Sequence, residues 1–126
     1  MPWPTIGLRG RHRQGRVKPQ MEDTVEAYNR GMEYLDYNEP DQAIAAFSAA
    51  LDRNPRFAHA YFARGYAYAG QGDAARAVAD FSAAIRYDPT LVGAYHNRAN
   101  AYHLLGDELK AQADLAKCAQ LRSGRE

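Results

Sequence analysis

The sequence predicts an all-α protein, a solenoid of three helix–turn–helix repeats with six helices. Three observations carry this reading. Between Thr24 and Arg122 the β-branched residues are only Thr24, Val25, Ile44, Val78, Ile85, Thr90 and Val92. Ala, Leu, Arg, Gln and Glu fill most of the rest, and these are the good helix formers. Strand-like alternation is absent. Above all, the chain repeats itself every 34 residues.

The repeat is exact in register at many positions. Gly31, Gly65 and Ala99 are one such set, and Arg30, Arg64 and Arg98 are another. Tyr34, Tyr68 and Tyr102 follow, then Ala43, Ala77 and Ala111, then Phe47, Phe81 and Leu115, and Ala50, Ala84 and Cys118. Pro55 and Pro89 also match, with Ser123 in the third place.

Each predicted element has a local reason. Ala27, Gly31 and Tyr34 stand at i, i+4 and i+7 and share one helix face; Tyr61, Gly65, Tyr68 and Tyr95, Ala99, Tyr102 repeat it. A small residue in the middle of that stripe admits a neighbouring helix, and Ala43, Phe47 and Ala50 supply the opposing stripe. Asn38, Gly72 and Gly106 lie between the two helices of each copy, where a left-handed residue ends the first helix. Asp73 and Asp107 are the expected N-caps of the helices that follow, while Pro40 suits a first helical turn. Asn54-Pro55 and Asp88-Pro89 break the chain between copies, because a residue before Pro avoids helix. The expected helices are 24–37, 40–53, 58–71, 74–87, 92–105 and 108–121, within 2–4 residues at each end. The domain reading is a basic N-terminal tail over 1–22, a repeat domain over 23–122 with copies at about 24–57, 58–91 and 92–125, and a C-terminal end at 123–126.

This pattern closely resembles the tetratricopeptide repeat family, over about 102 residues from Thr24 to Arg125. The family's aromatic near the start of each first helix is met by Tyr61 and Tyr95, whereas the first copy has Ala27. The resemblance implies a right-handed superhelix whose concave surface, lined by the first helix of each copy, binds a segment of a partner protein. The lining stripe is displaced by about one residue from the core stripe. The expected groove residues are therefore Tyr28, Asn29, Met32, Phe62, Tyr66, His96, Asn97, Asn100 and His103, with Leu35 and Ala69 beside them and Val25, Asp36, His59, Ala63 and Leu104 at the margins. The first two copies offer aromatic contact, and the third offers amide and imidazole groups that can bond a peptide backbone. Some members of the family grip a chaperone's C-terminal carboxylate with a Lys, Asn and Arg clamp. The matching positions here hold Tyr28, Met32, Ala63, Gly93 and Asn97, without a cation, so that mode is not expected.

Composition bounds the other classes. The 126 residues are 46% hydrophobic and 25% charged, as in an ordinary globular domain. One cysteine, Cys118, excludes an internal disulfide and a cysteine-based zinc site. No apolar run approaches the ~18 residues of a membrane span, and no apolar stretch follows the early basic residues as a secretory signal would. A cytoplasmic setting is the resulting expectation. Gly70 to Ala75 fits the relaxed pattern G-x-G-x-x-A, but a helix precedes it where a strand is required. His96 and His103 are separated by about 10 Å along one helix, too far to share a metal. No acid–base constellation emerges. The expectation is therefore no enzyme, no metal and no cofactor.

The formal net charge of +1 conceals an asymmetry. Residues 1–20 carry five cations, Arg9, Arg11, Arg13, Arg16 and Lys18, and no acid; residues 21–126 hold 11 cations against 15 acids. The dense Pro and Gly of the first 20 residues suggest a flexible basic tail, an extension upstream of Met21 or an organellar transit peptide. The alternative function follows from it: weak binding of RNA or an anionic surface through the tail, with the repeats as an oligomerisation unit. Nucleic acid is otherwise not an expected partner. At the other end, Leu109, Leu115 and Leu121 stay apolar on the last helix, which predicts exposed apolar surface there and self-association through the last helix pair.

Overall fold

The computed structural model describes residues 19–124, with side chains from Asp23 onward. The described residues form six α-helices: α1 Pro19–Asp36, α2 Pro40–Arg53, α3 Ala58–Gly70, α4 Ala74–Tyr87, α5 Val92–Leu104 and α6 Glu108–Arg122. They pack as three antiparallel pairs, α1 with α2, α3 with α4 and α5 with α6, and each pair stacks on the next through α2–α3 and α4–α5. The first helices also touch in series, α1 to α3 and α3 to α5, which sets them side by side along one face. Helix α1 begins at Pro19, five residues before the expected start at Thr24. Proline at the first helical position is pre-set for the helix and loses no hydrogen bond there. The basic segment and the readings attached to it otherwise lie outside the described residues, as do Arg125 and Glu126.

The turns close as their residues dictate. Asn38, Gly72 and Gly106 have φ of 58°, 83° and 83°, the left-handed values that end a helix. In each copy the next N–H reaches back to the same tyrosine carbonyl, Glu39 to Tyr34 at 2.8 Å, Asp73 to Tyr68 at 2.9 Å and Asp107 to Tyr102 at 2.9 Å. Asp73 and Asp107 cap α4 and α6 by accepting from the backbone of Arg76 and Lys110. Pro40 opens α2, where no side chain caps. Between copies, the Tyr61 hydroxyl donates to the Pro55 carbonyl at 2.9 Å and the Tyr95 hydroxyl to the Pro89 carbonyl at 3.0 Å. Ala27 cannot make this tie in the first copy.

The core is built from small residues around two fully buried rings, Phe47 and Phe81. A Cβ added to Gly31 would lie 2.4 Å from the Phe47 ring, and one on Gly65 would lie 2.8 Å from the Phe81 ring. These glycines are therefore the sockets into which the rings fit. The third copy places Ala99 and Leu115 at the same positions, where Ala99 is buried and Leu115 is 40% exposed. Cys118 is 3% exposed, its thiol within 3.5 Å of the Val92 carbonyl, and burial pushes its pKa up. It is a core residue, and burial disfavours its thiolate form.

Candidate functional site: a groove along the first helices

In the second and third copies one guanidinium organises the seams between helices. Arg64 donates to both carboxylate oxygens of Asp80 at 2.8 and 2.9 Å, and to the Ser48 hydroxyl of the preceding copy at 3.0 Å. Arg98 repeats this on Asp114 at 2.8 Å for both bonds, and on Ser82 at 3.0 Å. The bidentate carboxylate raises the pKa of each arginine, an effect larger than the opposing desolvation. Tyr61 and Tyr95 lie under the same guanidinium groups at 5.8 and 5.9 Å. Arg64 and Arg98 thus lock the second and third copies internally and tie each to the copy before.

With the seams closed, the opposite face of α1, α3 and α5 holds a cavity of about 460 Å³. Its lining includes Leu35, Asn38 and Pro40 from the first copy, Tyr66, Ala69 and Gly70 from the second, and Asn97, Asn100 and Leu104 from the third. Tyr66 is 57% exposed and Leu104 is 71% exposed, so both present apolar surface to solvent. No Lys or Arg is among the lining residues. The chemistry of the site is therefore three amides, Asn38, Asn97 and Asn100, with the rings of Tyr66 and Phe81 and aliphatic walls.

Of the nine expected groove residues, the cavity brings together Tyr66, Asn97 and Asn100. Tyr28 is turned partly inward, with its ring 5.8 Å from Phe47 and 5.0 Å from Phe57. Burial pushes its hydroxyl pKa up. Phe62 is half-buried against Phe81, ring to ring at 5.8 Å. Asn29, Met32 and His96 are exposed on the first helices outside the cavity lining. His103 is engaged at the α5–α6 turn, where its Nδ1 meets the Glu108 carboxylate. Asn38, Pro40 and Gly70 line the cavity although the sequence reading assigned them only to turns and helix ends. Their signal is positional: the turn of one copy lies against the first helix of the next, which a stripe along a single helix does not reveal. Among the described residues no three His, Cys, Asp or Glu side chains converge as a metal site, and no helix is long and apolar enough to cross a membrane.

Two tetratricopeptide repeat family models match the chain, one over residues 28–92 and one over 81–113. The first spans about half the chain, and with the observed helix pairs it places the protein in the tetratricopeptide repeat family. Solved structures agree in fold. The TPR2B domain of yeast Sti1, in a complex with pHsp70, superposes with a TM-score of 0.79 at 27% identity over 82% of each chain. The Arabidopsis OM64 TPR domain gives 0.80 at 22% identity, covering 85% of this chain and 88% of that one. The first TPR of Spaghetti (RPAP3), bound to the HSP90 peptide SRMEEVD, gives 0.77 at 22% identity over 79% of each chain. Among curated protein sequences none matches significantly. Tetratricopeptide repeat domains are protein-interaction modules, and the family is a scaffold class that generally carries no chemistry of its own.

Proposed function

We propose that this protein is a scaffold or adaptor whose groove along α1, α3 and α5 binds a peptide segment of a partner protein through apolar and amide contacts. The observation that carries this is the cavity lining: Tyr66 and Leu104 as apolar contacts, Asn97 and Asn100 as backbone readers, and no cation. An amide side chain donates and accepts, so it can hold both the N–H and the C=O of one peptide unit. An exposed tyrosine supplies contact area at small entropic cost.

The chaperone tails named with the yeast Sti1 and Spaghetti domains supply the contrasting mode. A terminal carboxylate held in a groove needs cations. Tyr28, Met32, Ala63, Gly93 and Asn97 offer none, and Tyr28 is committed to Phe47 and Phe57. Internal or C-terminally blocked segments fit this groove better than free acidic tails.

The test is a peptide selected from a random library against the full chain and then measured by titration calorimetry. Replacing both Tyr66 and Asn97 with Ala is expected to weaken it about ten-fold, near 1.4 kcal/mol, as loss of one aromatic and one amide contact requires. Unchanged affinity would remove the groove from the account.

A second surface supports self-association. Leu105, Leu109 and Leu115 are 51%, 86% and 40% exposed around the last helix pair. Sedimentation from micromolar to millimolar concentration should show a reversible dimer that substitution of Leu105 and Leu109 by Ser abolishes; a monomer throughout would count against it.

A further inference from the structure

The three arginines of the ladder hold equivalent positions, yet only two have their partners. Arg64 and Arg98 each bind a carboxylate, a hydroxyl and an aromatic face. At the corresponding positions of the first copy, Ala46 replaces the aspartate and Ala27 the tyrosine. Arg30 is exposed, and among the described residues it meets no carboxylate. In place of the missing aspartate lies a surface cavity of about 240 Å³, lined by Arg30 and Tyr34 of α1 and by Gln42, Ala45, Ala46 and Ala49 of α2. Ala46 is 6% exposed, about as buried as Asp80 at 6% and Asp114 at 5%. The slot thus keeps the cation and a buried floor at Ala46, is more open than its sister sites, and lacks the anion.

We propose that this slot, between α1 and α2 of the first copy, receives an Asp or Glu side chain of a partner protein. The sister sites show the geometry available to it, a bidentate pair with both bonds near 2.8 Å. The segment before α1 brings no side-chain carboxylate to it. Residues 1–18 contain five cations and no acid. A second copy stacked on this face in repeat register would bring Ala116 to the place from which Ser48 and Ser82 reach the next arginine. Glu26 and Glu33 lie one turn to either side of Arg30 on its own helix, both exposed and neither bridged to it. Exposed pairs at that spacing stabilise a helix by only about 0.2–0.5 kcal/mol, so they compete weakly with an enclosed carboxylate. This face is separate from the groove along α1, α3 and α5, since the two cavities share no lining residue. Failure of one reading therefore leaves the other standing.

Acetate stands in for the partner's side chain in the test. The arginine Nε–H signals of the full ¹⁵N-labelled chain are followed at low salt as acetate is added, with acetamide as the neutral control. The Arg30 signal should respond at about five-fold lower acetate than that of exposed Arg56, and not to acetamide. In the variant A46D the Arg30 signal should move to the acetate-shifted position without acetate and stop responding. Arg30 and Arg56 responding alike, or an A46D signal unmoved in a folded chain, would overturn the proposal. Should A46D fail to fold, the comparison of Arg30 with Arg56 in the native chain decides alone.

Discussion

Replacing Phe81 with Ala is expected to destabilise the fold by about 3–5 kcal/mol, the cost of emptying a closed aromatic site. The ring is fully buried, and Gly65 lies directly against it with no side chain to collapse into the void. Since domains of this size are stable by about 5–15 kcal/mol, the loss is a large share of the total. In melting temperature it should appear as a fall of about 15 °C or more. Phe47 occupies the same socket in the first copy, yet Phe47→Ala should lower the global transition less. Among the described residues the first copy packs on one neighbouring copy and the middle copy on two, so the first can fray alone. Thermal denaturation of the two variants checks this, and equal transitions would show that the copies do not unfold in this graded way.

The second large effect is asymmetric. Arg64→Ala should cost about 2–4 kcal/mol, because it strands the Asp80 carboxylate, 8% exposed, without its bidentate partner. Asp80→Ala should cost less by about 1 kcal/mol or more, since the Arg64 side chain, 22% exposed, can turn its head to water. Arg98 and Asp114, at 18% and 7%, should show the same order. Chemical denaturation of the four single variants measures it. An aspartate variant as damaging as its arginine partner would mean that the guanidinium, not the carboxylate, is the trapped charge.

These seams also show how far the sequence could be read. The turns were fully legible, because Asn38, Gly72 and Gly106 answer a backbone demand that few residues meet. The Phe–Gly sockets were legible because they recur at one spacing. The partner of each ladder arginine was not singled out, though a signal existed: Asp80 and Asp114 each sit inside an apolar stripe, one residue before Phe81 and Leu115. An acid repeated at a core position announces a buried cation. The groove was read less completely. Helix positions one residue apart differ by about 100° in direction, so Tyr28 and Phe62 stand at the border between core and groove. Ring contacts with Phe47, Phe57 and Phe81 drew both inward, and no pattern within a single helix encodes those neighbours. Tyr66, one helical turn further along α3, stayed 57% exposed and kept its place in the site.

The central claim concerns where a partner peptide lies. The most direct measurement is ¹H–¹⁵N chemical-shift mapping of a library-selected peptide, blocked at its C-terminus, on the labelled full chain. The account predicts a saturable perturbation centred on Tyr66, Asn97, Asn100 and Leu104, with side-chain amide signals of both asparagines among the most shifted. Perturbation confined to α2, α4 and α6, with the two asparagine amides unmoved, would contradict it.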